Sequence, residues 1–310
     1  MGNEGKNQKG RKHRTPQKRA ARRPSVPKPR AAPQFPSALP LKGNLEMQAT
    51  LLEKAPPEQL VELLMPHLWA SIAEESGAPS NICVDAALTL RHAFGQYGIR
   101  SVIQPVDLII RDQRGNEEVY RTSEQSWSAD GTVFHGHCLL ALPDSQRIVD
   151  ATVEQFEQVA AVGAGPLIGK TAAADIEAPP GQLLPERSTL VLQRGQLLLR
   201  YTVVEEPLAS IINDQQPYVR SHAAEHHRAG VNLASLMLLA LRDPEVIGRA
   251  RQTPYPRLRA LLRAVAGADH DVDSERNFRF LLPDATGQKR GLRLDEVPLP
   301  PTTPQAYPRG

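Results

Sequence analysis

Three residues of the types used in thiol catalysis follow one another along the chain: Cys83, His137 and Asp150. In such chemistry a thiolate attacks a carbonyl carbon, an imidazole takes the thiol proton and returns it to the leaving group, and a carboxylate fixes the imidazole tautomer. Cys83 falls in the first turn of a predicted helix, where unpaired backbone N–H groups and the helix dipole lower a thiol pKa. The alternative is that Cys83 is only a small buried side chain.

The spacing of His137 and Asp150 along the chain decides whether their side chains can contact each other. His137 lies on a strand predicted over 132–142, and Asp150 lies on the next, predicted over 147–152. A two-residue loop would place them directly opposite, and a four-residue loop would place them diagonally on one face, so either register lets the carboxylate reach the ring. Proline at the first loop position, Pro143, disfavours the primed two-residue turns and therefore favours the four-residue loop.

The three residues sit in short motifs: Asn81-Ile82-Cys83-Val84-Asp85-Ala86-Ala87, Gly136-His137-Cys138-Leu139-Leu140-Ala141-Leu142 and Ile148-Val149-Asp150-Ala151-Thr152. Together these resemble the core of the transglutaminase-like superfamily, within the wider papain-like group of cysteine enzymes. The resemblance covers residues 57–160. It implies a Cys–His–Asp triad of Cys83, His137 and Asp150, and a papain-like core in which an antiparallel sheet packs on the Cys-bearing helix. Val84 stands where members often have an aromatic residue, and His137-Cys138-Leu139 replaces the usual His-Ala-Trp.

Three further residues are candidates for an oxyanion donor or for the lining of the site: Asn81, Gln104 and His135. The backbone N–H of Cys83 would be one oxyanion donor, and Asn81 or Gln104 is a candidate for the second. His135 shares the predicted strand face of His137 and is its rival as the base. The family pattern and the Asp150 register favour His137, which leaves His135 either to line the site or to serve a structural role. Cys138 alternates to the opposite face and is predicted to be core.

A second cluster, between Ser221 and His227, places His222 and His226 one helical turn apart, a spacing that would let them share a metal. The zinc-protease motif needs Glu directly after the first His, and Ala223 stands there. Because two histidines need further ligands, we expect a solvated helix face with neither metal nor cofactor, and a metal site is the alternative.

Charge is distributed unevenly along the chain. Residues 1–42 hold twelve Lys or Arg and one acid, giving +11, whereas the rest holds 25 bases and 33 acids, giving −8. The arm has almost nothing apolar to bury, so we expect disorder. It would contact nucleic acid or an acidic partner through phosphate or carboxylate charge, or serve solubility alone.

Composition excludes several classes of protein. Two cysteines exclude a disulfide-rich scaffold and a Cys-rich zinc module, and no apolar run approaches the ~18 residues of a membrane span. The N-terminus lacks the apolar stretch of a secretory signal. The expectation is a soluble, cytoplasmic protein with reduced thiols.

The chain is predicted to be α+β. Its expected segments are a disordered basic arm at 1–42, a transglutaminase-like core at 43–206, a helical C-terminal portion at 207–285 and a Pro-rich tail at 286–310. Predicted helices cover 56–77, 80–98, 154–162, 223–241 and 244–265. Predicted strands cover 99–111, 118–121, 132–142, 147–152, 189–192, 196–204 and 277–282. Pro66 is expected to kink or split the first helix, Ser80 to cap the second, and 163–186 to be an irregular connection.

Two function classes follow. One is thiol-dependent acyl chemistry, by hydrolysis or transfer, on a peptide or other amide-type substrate. The other is a catalytically inactive binding protein of the same fold, whose arm contacts nucleic acid or acidic partners. For the segment at 207–285, a lid, a dimer surface and plain support are all open.

Overall fold

The structure is a computed structural model, and it describes residues 44–77, 82–120, 125–170, 189–204 and 212–299. The basic arm at 1–42 and residues 300–310 lie outside these ranges, so the nucleic-acid contact of the arm stays a prediction. Within the described ranges, no helix combines the length and the apolar character needed to cross a membrane.

The described chain is an α+β protein in which every strand pair is antiparallel. Its helices are α1 (Asn44–Lys54), α2 (Leu60–Glu75), α3 (Cys83–Gln96), α4 (Glu157–Ala160), α5 (Pro217–Ser221), α6 (Ala223–Leu241), α7 (Ile247–Ala250) and α8 (Pro256–Ala264). Its strands are β1 (Val102–Arg111), β2 (Glu117–Tyr120), β3 (Ser126–Trp127), β4 (Phe134–His135), β5 (His137–Leu142), β6 (Arg147–Asp150), β7 (Leu167–Lys170), β8 (Thr189–Arg194), β9 (Leu197–Val203), β10 (Asp269–Val272), β11 (Phe278–Pro283) and β12 (Lys289–Leu292).

The main sheet has the order β7-β6-β5-β1-β9-β8. The first half of β1 pairs with β5, and its last four residues pair with β2. Its side chains alternate between two faces. Cys138 and Leu140 of β5 join a core shared with α2, α3 and α6. Leu139 and Ala141 join a second core, which includes Val159 of α4. The strand that carries His137 is therefore covered on both sides.

Helices α3 and α6 pack closely because Gly230 of α6 has no side chain. A Cβ atom there would lie 2.8 Å from the Thr89 carbonyl oxygen and 2.9 Å from the Ala93 nitrogen, which are backbone atoms of α3. Apolar side chains of both helices enter the same hydrophobic core. The predicted boundary between 206 and 207 therefore does not separate two cores, and the C-terminal helices complete the core around the Cys-bearing helix.

The predictions about the first helices need correction. Pro66 was expected to kink or split the first helix, and α2 runs without a break from Leu60 to Glu75, so it does not split there. The proline and its neighbours are buried, and their packing offsets the missing backbone hydrogen bond. Helix α3 begins at Cys83 with Ile82 in the N-cap position, so Cys83 is the first helical residue and not the third. Ser80, the predicted cap, lies outside the described residues.

The strand predicted over 132–142 is interrupted at Gly136. Strand β4 pairs with β3 in a separate two-stranded ribbon, whereas β5 belongs to the main sheet. A Cβ atom at Gly136 would lie 2.7 Å from the ring of Phe134, so the chain passes here only because the residue lacks a side chain. Strand β7 likewise corrects the irregular connection predicted over 163–186, because it pairs with β6.

The C-terminal portion is less helical than predicted. The helix expected over 244–265 is divided into α7 and α8, and Pro256 occupies the first turn of α8. Strands β10, β11 and β12 form a three-stranded sheet, of which the sequence predicted only β11. The tail predicted over 286–310 is wrong for its first part, because β12 lies there and the Leu294 side chain enters the core.

We predict that Gly230→Ala destabilises the fold by about 1–3 kcal/mol, because the new methyl group meets α3 backbone that cannot rotate away. Gly95→Ala, in α3 with open space at its Cβ position, is the matched control and should gain up to about 1 kcal/mol of helix propensity. Urea unfolding of both variants measures the difference. Equal stability of the two would contradict the close approach of α3 and α6.

Candidate active site

Cys83 occupies the first position of α3, facing β5 in the shared core. The first backbone N–H groups of a helix have no acceptor within it, so the N–H of Cys83 is available to a ligand. The residue retains 8% of its surface and lines a cavity. A thiol at a helix N-terminus is stabilised as thiolate.

His137 and Asp150 meet across the β5–β6 hairpin. Leu142 pairs with Arg147, which confirms the four-residue loop and puts Asp150 diagonally across from His137 on the same face. His137 Nε2 lies 2.7 Å from Asp150 Oδ2, and both side chains are buried, with 3% and 0% exposed. The carboxylate can therefore fix the tautomer and orientation of the imidazole.

Asp150 is held by two further donors. The Tyr201 hydroxyl donates to Oδ2 at 2.9 Å, and the Thr152 backbone N–H donates to Oδ1 at 3.2 Å. Burial, together with the charge of Asp150, raises the pKa of Tyr201 well above its usual range, so the phenol stays a donor. These contacts compensate for burying a carboxylate. Tyr201 lies 51 positions further along the chain and carries no motif, so the sequence did not reveal it.

The electrostatics favour a thiolate–imidazolium pair. Burial lowers the pKa of His137, but the charge and hydrogen bond of Asp150 and the interaction with Cys83 outweigh it and raise this pKa to about 10. The hydrogen bond with Cys138 has the largest effect on the pKa of Cys83 and lowers it. Burial raises this pKa, but the hydrogen bond with His137 and the charge of that ring lower it further, to about 5. At neutral pH the resting state is therefore the ion pair, with titrations that belong to the pair as a whole.

Cys138 is core, as predicted, and it also interacts with Cys83. Burial, followed by its interaction with Cys83, raises the pKa of Cys138 well above its usual range. It therefore remains a protonated thiol and can donate to the Cys83 thiolate. Strand parity placed Cys138 on the face opposite His137, and only the packing of α3 on that face revealed the contact.

Gln155 is a site residue that the sequence did not single out. It ends the 3₁₀ turn Val153–Gln155, and its Nε2 lies 3.0 Å from His137 Nδ1. The ring of Phe156 packs edge-on against His137, with centroids 5.2 Å apart. Because Asp150 engages Nε2, Nδ1 is the nitrogen left to exchange a proton with Cys83. Gln155 touches that nitrogen and lines the cavity of Cys83.

The cavity beside Cys83 has a volume of about 480 Å³. Its lining residues are Ile82, Cys83, Val84, Asp85, Trp127, Thr132, Val133, Phe134, His135, Gly136, Gln155 and Tyr218. A small molecule that enters this cavity would therefore reach the side chain of Cys83.

The other predicted site residues do not all lie at the cavity. His135 lines the cavity as expected, but it is exposed and pairs with Ser126 in the β3–β4 ribbon, so it does not continue the strand face of His137. Gln104 is buried opposite Leu139 and is not among the residues that line this cavity. Asn81 lies outside the described residues. The break at Gly136 explains why strand parity failed for His135.

His226 is buried, contrary to the predicted solvated face. Its Nε2 lies 2.8 Å from Asp85 Oδ1, and the Tyr218 hydroxyl donates to the same oxygen at 2.7 Å. His222 instead packs its ring against Tyr218, with centroids 4.4 Å apart. Across the described ranges, no three His, Cys, Asp or Glu side chains are grouped as metal ligands. The two histidines therefore support Asp85 and Tyr218.

Comparison with known proteins adds little to this geometry. Neither a protein-family model nor a curated protein sequence matches the chain. Among solved structures, the crystal structure of a genomics target aligns at 14% identity over 81% of this chain and 89% of that one, with a TM-score of 0.25. A likeness at this TM-score carries no argument about fold or function.

We predict that Cys138→Ala raises the pKa of Cys83, because the thiolate loses a hydrogen-bond donor, whereas Cys138→Ser raises it less. Each unit of increase would slow alkylation below the midpoint about tenfold. The measurement is the pH dependence of iodoacetamide labelling, and each variant retains only one cysteine, so the labelled site is unambiguous. Identical midpoints in the wild type and both variants would contradict the contact.

Proposed function

We propose that this chain is a transglutaminase-like cysteine enzyme with a papain-like core, which transfers or hydrolyses acyl groups through Cys83, His137 and Asp150. The observation that carries the proposal is the buried 2.7 Å contact between His137 and Asp150, beside a cavity lined by Cys83. The order of the three residues along the chain, and the elements that carry them, agree with the resemblance.

The geometry supports a two-step reaction. The Cys83 thiolate attacks the substrate carbonyl, and the imidazolium of His137 gives its Nδ1 proton to the leaving group, which departs to leave a thioester. His137, now neutral, takes a proton from water or from an amine as that acceptor attacks the thioester. The tetrahedral adduct collapses, the acceptor keeps the acyl group, and the returned proton restores the thiolate–imidazolium pair.

The oxyanion formed in each step needs donors. The N–H of Cys83, at the first position of α3, supplies one. We assign the second to the side-chain amide of Gln155, which replaces the candidates Asn81 and Gln104. When the ring is protonated, Nδ1 is a donor, so Gln155 must present its oxygen to it. The amide nitrogen of Gln155 is then free to face the cavity.

The test uses p-nitrophenyl acetate, an activated acyl donor that requires no knowledge of the natural substrate. We expect a burst of p-nitrophenolate and a protein mass increased by one acetyl group at Cys83. Cys83→Ala should abolish both, whereas Cys138→Ala should retain the acetylated species. Ordinary thiol reactivity of Cys83 towards iodoacetamide, with no acyl-enzyme, would overturn the proposal and leave the binding-protein class.

The pH dependence should follow the ion pair. Thiolate requires a pH above the pKa of about 5, and protonation of an amine leaving group by His137 requires a pH below about 10. For p-nitroacetanilide, an amide whose leaving group needs that proton, kcat/KM should therefore be bell-shaped between these limits. Asp150→Asn removes the charge that raises the pKa of His137. It should therefore move the alkaline limb to lower pH and cost at least about 100-fold in rate.

Asp144→Asn is the matched control for this variant, because Asp144 lies in the loop of the same hairpin and makes an exposed ion pair with Arg100. Such pairs contribute little to stability, so its profile should match the wild type. Equal profiles for Asp150→Asn and Asp144→Asn, with both folded by circular dichroism, would show that the carboxylate does not support His137.

A further inference from the structure

Three aromatic side chains surround the cavity beside Cys83. The Trp127 ring lies 5.4 Å from that of Phe134 and 5.8 Å from that of Tyr218, measured between centroids. All three residues line the cavity, and each is only half-buried. Part of the surface of each of these three residues is therefore exposed, and exposed aromatic surface attracts a further ring by stacking or edge contact.

This aromatic wall is fixed to the helix that carries the nucleophile. The Tyr218 hydroxyl donates to Asp85 at 2.7 Å, and Asp85 is two residues after Cys83 in α3. His226 holds the same carboxylate oxygen at 2.8 Å. The phenol therefore cannot turn away without losing a partly buried contact, so the distance between the wall and the thiol is set before a substrate arrives.

The charge of the cavity restricts what it accepts. Its described lining includes no Lys or Arg, and its carboxylate, Asp85, is already bound by His226 and Tyr218. A charged substrate group would therefore find neither a free carboxylate nor a Lys or Arg as its counter-ion, and it would lose hydration. Apolar side chains, including Val84 and Val133, complete the lining. The volume of about 480 Å³ lies in the range of small-molecule sites.

We propose that the Trp127–Phe134–Tyr218 wall is a subsite for a neutral aromatic group next to the reacting carbonyl of the substrate. The inference rests on the proposed function, because it assigns the substrate class of the same cavity. It makes Trp127 and Tyr218 specificity-determining residues, and it leaves the bond chemistry to Cys83 and His137.

The test compares alkylation of Cys83 by iodoacetamides that differ in one substituent: N-phenethyl, N-butyl, N-(2-aminoethyl) and N-(2-carboxyethyl), beside unsubstituted iodoacetamide. We expect the phenethyl probe to react at least about tenfold faster than the butyl and both charged probes, since one or two ring contacts supply about 1.4 kcal/mol. Its rate should also saturate with concentration. Peptide mapping confirms the labelled site.

Matched variants locate the subsite. Trp127→Leu should reduce the phenethyl-to-butyl rate ratio to near one, whereas Phe278→Leu, which changes an aromatic residue of β11 that does not line this cavity, should retain it. Val133→Asp places a carboxylate on an exposed lining position that tolerates substitution, and should make the aminoethyl probe faster than the carboxyethyl probe. If Trp127→Leu does not fold, Val133→Asp still tests whether the probes enter this cavity.

The outcomes separate the two proposals. Fast labelling of Cys83 by iodoacetamide at neutral pH, with no phenethyl preference, would overturn the subsite and leave the proposed function intact. Labelling no faster than that of an ordinary thiol would instead argue against the proposed function. A phenethyl preference that survives Trp127→Leu and is unmoved by Val133→Asp would place the aromatic site elsewhere and so overturn the assignment.

Discussion

The buried hydrogen bond between His137 and Asp150 is the constraint on which the rest of the site depends. A carboxylate taken out of water is costly unless it is paired and hydrogen-bonded, and the pairing tolerates little displacement. Tyr201 and Thr152 supply the remaining donors to Asp150. The register of β5 and β6, the length of the loop between them and the position of β9 must therefore all agree for this one carboxylate to be satisfied.

The same constraint explains what the C-terminal portion contributes. Cys83 can pair with His137 only if α3 is held against β5, and α3 is held by α6 at Gly230 and by the Tyr97 hydroxyl, which donates to the Ala234 carbonyl. His226 and Tyr218 add contacts to Asp85 in the first turn of α3. Of the roles open to residues 207–285, support of the helix that carries Cys83 and formation of the cavity wall are the ones for which the contacts provide evidence.

Sequence patterns predicted the local parts of this arrangement and missed the contacts between distant elements. The reach of Asp150 to His137 was predictable because it depends on strand parity and on a proline in the loop, both within 14 residues. Helix α6 was predicted with its observed bounds because its apolar spacing is regular. Gln155, Tyr201 and the contact between Cys138 and Cys83 were not predictable, because each depends on how separate elements pack. The error at His135 came from one glycine, whose missing side chain ends a strand that periodicity alone would continue.

A site whose resting state is already an ion pair needs some other control over what it attacks. With a pKa of about 5 for Cys83 and about 10 for His137, the nucleophile exists before substrate binds, and proton transfer does not have to create it. Selectivity must then come from access. Cys83 exposes only 8% of its surface, and in the proposed reaction a carbonyl would reach it through a cavity with aromatic walls and no unpaired carboxylate, Lys or Arg among its described residues. In the function proposed here, the side chains of the wall would therefore decide which substrate reacts, whereas the Cys83, His137 and Asp150 side chains would decide how fast its carbonyl reacts.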